Sequence, residues 1–431
     1  MVSKRNSLPA RLGIWLLVPA LAAAAETAEG DRTSSPADAA LLLELVREAL
    51  ERSPKVLAAR RALEARRARI PQAGAWPDPK ISLSYGGNLF PPFTLMGGDP
   101  SSTRQISAEQ EIPYPGKTRL RSQIAEREAD AESLAYEAVR RRVAAEVKQT
   151  YFDLYFADQS LSTLRKDHEL LEKFEKIAEN RYAVGQAAQQ DVLKAQVELS
   201  KLVERRTLLE QTRRTLEAQL NSFRDRPVET PVATRAEIRP SVLTYQLDDL
   251  VAAAQENYPV LKRQRTFVEG SRLAVALAQK DVRPNWSLGY TYMQRSNLPD
   301  MYGVTISTTL PIFRRNKQDQ AVAEAAANLE AGRQAEAYEL VLLRYRVKQE
   351  FLEVQATDQL MQLFAKGIVP QSSLALEASL ATYEVGKTDF LTVLSNFTTV
   401  LDYELAYHQQ LVNRQKALAR LEELTGLDLI R

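Results

Sequence analysis

The sequence predicts a mainly α-helical protein with a membrane β part, built from two copies of one unit. Three observations predict it. The chain repeats itself at about half its length, two pairs of segments alternate with period two, and the last long segment of each half carries apolar residues at heptad spacing.

The 431 residues carry a net charge of +2, with 26% charged and 45% hydrophobic residues. That length allows two or three ordinary domains or one long body. Basic and acidic residues balance along most of the chain, which argues against a nucleic-acid partner. There is no cysteine, hence no disulfide, no thiolate metal site and no lipid-modified N-terminal cysteine.

Residues 1–25 have the order of a secretory signal peptide: Lys4, Arg5 and Arg11, then an apolar run from Leu12, then Ala23-Ala24-Ala25. As a membrane anchor the run is short, since a spanning helix needs about 20 residues.

The repeat covers the rest. A shift of 205 positions matches Leu45 with Leu250, Pro54 with Pro259, Pro79 with Pro284 and Tyr85 with Tyr290. Pro113 answers Pro311, and Val147-Lys148-Gln149 answers Val347-Lys348-Gln349. The phrase Y-A-V-G from Tyr182 returns as Y-E-V-G from Tyr383. The first repeat is placed at 26–222, a non-helical linker at 223–244 around Arg226-Pro227, Pro231 and Pro240, and the second repeat at 245–431.

Each half opens with two shorter helices and then two strands. The strands are expected at about 80–88, 104–112, 285–293 and 302–310. Ile81, Leu83 and Tyr85 alternate with Lys80, Ser82 and Ser84, and Trp286, Leu288 and Tyr290 alternate with Ser287, Gly289 and Thr291. Nine or ten residues is the length of a tilted membrane strand. Trp76 and Trp286 stand near strand starts, where an aromatic girdle would lie. The connections Leu89 to Thr103 and Arg295 to Met301 become outward loops. Four strands in lipid leave two open edges, whose unpaired groups cost several kcal/mol each. A closed barrel needs at least about eight strands. The strands therefore imply an oligomeric barrel, of eight strands from two chains or twelve from three. A small soluble sheet with one face on the helices is the alternative.

A long helix follows in each half, at about 117–180 and 317–382, with a kink expected near Gly367 and Pro370. A straight one would run roughly 95 Å at 1.5 Å per residue. The last helices, about 188–222 and 388–424, carry 3,4 spacing: Val192, Ala195, Leu199 and Leu202 in one, Phe390, Val393, Phe397 and Val400 in the other. Arg206 and Arg213 interrupt the first seam, Glu404 and Arg414 the second. Gly185 and Gly386 sit between long helix and heptad helix, where positive φ can end the first. Tyr182 and Tyr383 are placed to pack over these turns.

Motifs for catalysis fail. Pro115-Gly116-Lys117-Thr118 contains G-K-T, but a phosphate loop needs glycine where Glu111 stands. His168 and His408 form no ligand cluster. No catalytic, metal or cofactor residue is assigned.

These features resemble the TolC-like outer-membrane efflux proteins. The duplicated halves, the paired hairpins, the R-Y-x-x-G…D-V-L-x-A-Q phrase from Arg181 to Gln196 and the tail L-A-R-L-E-E-L-T-G from Leu418 carry the resemblance. It implies a homotrimer with a twelve-stranded barrel in outer-membrane lipid and an α-helical barrel through the periplasm. It implies a passive exit duct that needs no cofactor, docked at its periplasmic tip to an adaptor protein and a proton-driven inner-membrane pump. The docking tips would hold Arg181, Tyr182, Gly185, Asp191, Tyr383 and Gly386. Family members close the tip with an acidic ring; the corresponding positions are Thr392 and Ser395 here, and Asp389 beside Lys387 is the nearest carboxylate. Those four residues are the candidate gate, although Asp389 also suits a helix start. G-K-T-D-F-L from Gly386 resembles the branch serving heavy-metal efflux pumps. The rival from another class is a soluble periplasmic coiled-coil scaffold or chaperone.

Overall fold

In a computed structural model, the described residues are 36–87, 102–235, 237–238, 243–296 and 298–430. The expected signal peptide, Pro240 and nearly all of the first hairpin loop lie outside them.

Each half runs helix, helix, strand, strand, long helix, helix. The first half has α1 (Pro36–Arg52), α2 (Pro54–Gly74), β1 (Lys80–Gly86), β2 (Thr103–Ile112), α3 (Lys117–Ala183) and α4 (Gln189–Phe223). The second has α5 (Leu247–Asn257), α6 (Pro259–Asp281), β3 (Trp286–Arg295), β4 (Leu298–Thr308), α7 (Gln318–Leu363), α8 (Val369–Glu384) and α9 (Phe390–Thr425). Pro54 and Pro259 open α2 and α6, where a missing N–H costs nothing.

The α3 helix is unbroken over 67 residues, about 100 Å at 1.5 Å per residue. Its buried residues include the strict sevenfold series Val143, Thr150, Ala157, Leu164, Leu171 and Ala178. The matching path in the second half does not break at Gly367 and Pro370. Phe364–Ile368 form a single π turn, and both flanking residues keep right-handed helical angles. Buried Val347, Val354 and Met361 are seven apart, as are Leu376 and Tyr383, but the second pair arrives one residue late. A π turn holds one extra residue, which accounts for the skip.

Three apolar clusters hold the helices together. One lies at mid-length, where Tyr151, Phe152 and Tyr155 of α3 meet Leu411 and Val412 of α9. One lies toward the hairpin tips, around Leu171, Phe174, Phe390 and Phe397. The third joins α5, α6, α7 and the end of α9. The linker is strapped across the first: Asn221 Nδ2 donates to the carbonyls of Val228 and Thr230 at 3.2 and 2.7 Å. The Arg235 N–H donates to Tyr151 Oη at 3.0 Å and the Ile238 N–H to Tyr155 Oη at 3.3 Å.

The strands form one antiparallel sheet in the order β1-β2-β3-β4. β4 starts at Leu298, before the expected 302, because β3 and β4 meet in a tight hairpin rather than a loop reaching Met301. The registers Leu83↔Ile106, Ile106↔Tyr292 and Tyr292↔Tyr302 put the large apolar residues on one face. Ser82, Ser107, Thr291 and Gly303 share the other. The helices do not cover the apolar face: Leu83 is 78% exposed and Ile306 70%. A soluble sheet packed on its helices would bury these side chains, so that alternative does not describe this fold.

Candidate functional site

The two helix hairpins end in the same turn. Gly185 has φ 74° and Gly386 φ 75°, the left-handed region that glycine enters freely. In the first, the Gly185 and Gln186 N–H groups donate to the carbonyls of Tyr182 and Arg181 at 2.9 and 2.8 Å. In the second, Gly386 and Lys387 donate to Tyr383 and Thr382, both at 2.9 Å. These paired bonds satisfy the last carbonyls of each long helix.

The side chains differ. Tyr383 is buried and its ring lies 5.5 Å from Phe390, as a residue packed over the turn should. Tyr182 instead is exposed. Arg181 does the joining: its guanidinium stacks 4.6 Å from the centre of the Tyr383 ring and donates to the Tyr383 carbonyl. The two tips of one chain are thereby tied to each other. Burial pushes the Tyr383 hydroxyl pKa up, the Asp191 charge adds to that, and Arg181 opposes it. So Arg181, Tyr383 and Asp191 come together, with Gly185 and Gly386 shaping the turns.

The four gate candidates all lie exposed at the start of α9. Asp389 caps the helix: it accepts from the Thr392 N–H at 3.3 Å and from the Thr392 hydroxyl. That hydroxyl bond holds the carboxyl below the usual range. Ser395 lies one turn on, and its carbonyl accepts the hydroxyls of Thr398 and Thr399. Lys387 makes no ion pair among the described residues. The first hairpin has Ala188 at the capping position, so the carboxylate is particular to the second.

At the opposite end, Trp76 and Trp286 are both exposed, on the α2–β1 connection and at the first residue of β3. Trp286 shares the apolar face through its pairings with Ile112 and Thr308. A second aromatic group, Tyr292 and Tyr302 with centroids 5.4 Å apart, stands six residues up β3, about 20 Å away at 3.3 Å per residue. Period two in β3 and β4 contains both tyrosines, although only Trp76 and Trp286 were expected in a girdle.

Lys117 was legible only as a helix opener. It is buried and joins the two halves below the sheet. Its Nζ donates to the Arg283 carbonyl at 2.7 Å and to Asn285 Oδ1 at 3.0 Å, and lies 3.2 Å from Asp281 Oδ1. Nothing in G-K-T announces partners so far along the chain. Among the described residues no group of His, Cys, Asp or Glu could hold a metal ion, and no helix is long and apolar enough to cross a membrane.

Comparison with known proteins agrees with this architecture. The profile of the family described as Outer membrane efflux protein matches residues 45–223. The cobalt-zinc-cadmium resistance protein CzcC of Cupriavidus metallidurans is 24% identical over 385 residues, 86% of each chain. The structure of the outer-membrane channel OprN superposes with a TM-score of 0.79 at 17% identity, over 91% of both chains. The outer membrane protein VceC of Vibrio cholerae gives 0.75 at 17% identity, over 90% of this chain and 97% of that one. The profile match lies in the first half, and the shared fold spans both. Residues 45–223 thus match the outer membrane efflux protein family, and over 91% of the chain the fold is that of an outer-membrane channel.

Proposed function

We propose that three copies of this chain form the exit duct of a tripartite efflux system. The observation that carries this reading is the sheet: one face apolar and exposed, the other small and polar, and both edge strands unpaired among the described residues. In lipid such a sheet must close with other copies. Three copies give the twelve strands that the family resemblance implies. The polar face then lines the water-filled lumen, and Trp76 and Trp286 mark the inner boundary of the membrane.

The helical hairpins reach into the periplasm. Their tips, with Arg181, Tyr182, Gly185, Asp191, Tyr383 and Gly386, meet an adaptor protein that couples the duct to a proton-driven inner-membrane pump. Lys387, Asp389, Thr392 and Ser395 line the constriction. The duct passes its cargo without chemistry of its own. The CzcC likeness and the G-K-T-D-F-L phrase favour divalent metal ions as that cargo.

The mass of the particle extracted from outer membranes in mild detergent tests the reading. Three chains per particle is the expected result. A single chain released without detergent would overturn it in favour of a periplasmic scaffold.

A further inference from the structure

The chain holds one finished corner and one unfinished corner. Where β2 turns into α3, Lys117 is 3% exposed and holds Asp281, the Arg283 carbonyl and Asn285. The Tyr114 N–H donates to the same Asn285 oxygen at 3.1 Å, and Asn285 donates to Glu111 at 2.8 Å. These contacts fasten the end of one hairpin to the start of the next.

The repeat supplies the same corner again where β4 turns into α7. Pro311 answers Pro113 and Lys317 answers Lys117. Here the residues lie open. Ile312 is 78% exposed, Phe313 73%, and Lys317 is exposed with no ion pair among the described residues. A cleft of about 570 Å³ beside Lys317 is lined by Asn285, Pro311 and Phe313. The shift of 205 positions turns Asp281, Arg283 and Asn285 into Trp76, Asp78 and Lys80. Those three are also exposed, and they lead into β1. β1 and β4 are opposite edges of the sheet, so the two parts of this corner belong to different copies.

We propose that Lys317 locks the corner of a neighbouring copy as Lys117 locks the corner within the chain. Its ammonium takes the Asp78 carbonyl in place of that of Arg283. Trp76 stands where Asp281 would supply the carboxylate, so the charge partner is the Asp78 side chain. The same mapping sets the register between copies. Ile112↔Trp286 becomes Leu310↔Ile81, which brings Thr308 opposite Leu83 and Ile306 opposite Tyr85. Every residue of the apolar face then meets another of that face, whereas a slip of one would invert the strand. One contact is lost: Lys80 stands in place of Asn285, so the acceptor shared by Tyr114 and Lys117 has no counterpart. The proposal rests on the assembly reading above and adds the residues that join the copies.

The native chain has no cysteine, so engineered pairs have no competitor. Leu83→Cys with Thr308→Cys should cross-link copies into dimers and trimers on oxidation, since opposed Cβ atoms lie about 5 Å apart. Ser84→Cys with Thr308→Cys points to opposite faces and should not. Lys317→Glu should lower the assembled fraction in detergent by roughly tenfold, and Lys317→Asp with Asp78→Lys should restore it. A particle of three chains without the Leu83–Thr308 link would overturn the register while leaving the assembly intact. Lys317→Glu assembling as well as the native chain would overturn the lock. A native particle of one chain would overturn the assembly reading itself.

Discussion

Arg414 Nε meets Asp358 Oδ1 at 2.5 Å across the seam between α9 and α7. The first half builds the same pair, with Arg213 Nε 2.6 Å from Asp158 Oδ1 between α4 and α3. These arginines are two of the charged residues that interrupt the heptads. They are the pins that hold each coiled pair in register. Their surroundings differ, because the Arg414 side chain is 2% exposed and that of Arg213 32%. Asp358→Ala removes a carboxylate partner from a buried cation and should cost about 3 kcal/mol. Asp158→Ala should cost about 1 kcal/mol, as more exposed pairs do. Thermal unfolding in detergent compares them, and equal losses would contradict the account.

Asp167 of α3 sits in the seam with α9, and one of its oxygens has no hydrogen-bond partner among the described residues. Burial, then the charge of Glu404, pushes its carboxyl up to about 7, against the pull of Lys166. Burial also raises Glu404 and lowers His408. The folded-state value of Asp167 lies above the unfolded one. Its contribution to stability is thus full below about 4 and is lost as pH rises through about 7. Asp167→Asn should raise the melting temperature by a few degrees at pH 8 and leave it nearly unchanged at pH 4. An equal effect at both pH values would refute this assignment.

Arg181 ties the two tips through the Tyr383 ring and carbonyl. Arg181→Ala should release them at a stability cost of about 1 kcal/mol. The mean conductance of single channels in a lipid bilayer should rise. Unchanged conductance would mean that the tie does not restrict the duct.

Asp389→Asn keeps a capping side chain but removes the charge. Cation selectivity, measured as reversal potential under a salt gradient, should fall. The bond from Thr392 keeps the native carboxylate ionised to lower pH than usual. Native selectivity should therefore persist through the ordinary carboxylate range and fade only below it. A reversal potential equal to the native one would remove Asp389 from the constriction.

Leu83→Arg puts a charge on the apolar face and should cost about 2–4 kcal/mol per copy in the membrane. Ser82→Arg points to the other face and should be tolerated. The yield of folded protein in isolated outer membranes separates them; equal yields would mean that the assignment of faces is wrong.

Local pattern made most of the fold legible. Period two located the strands because one face is apolar, and sevenfold spacing located α4 and α9 because one stripe is. The early start of β4 was hidden by Pro299, which reads as loop yet is accommodated in an edge strand, where a missing N–H need break no pairing. Contacts across the repeat were illegible. Arg181 reaches Tyr383 over 202 positions and Lys117 reaches Asn285 over 168, and no spacing rule connects such pairs. The tips were placed correctly as turns by glycine alone, but which side chain covered them depended on the partner hairpin.

The π turn at Phe364–Ile368 lies where the two halves fall out of step. Before it they align at a shift of 200, Val147 with Val347 and Asp158 with Asp358. Beyond it the shift is 201, Tyr182 with Tyr383 and Arg213 with Arg414. The second copy is one residue longer between those points. A regular α-helix would carry the extra residue forward as a rotation of about 100°, turning every later side chain off its partner. The wide turn confines the extra residue to five positions, so both arginine pins meet their aspartates in the same way.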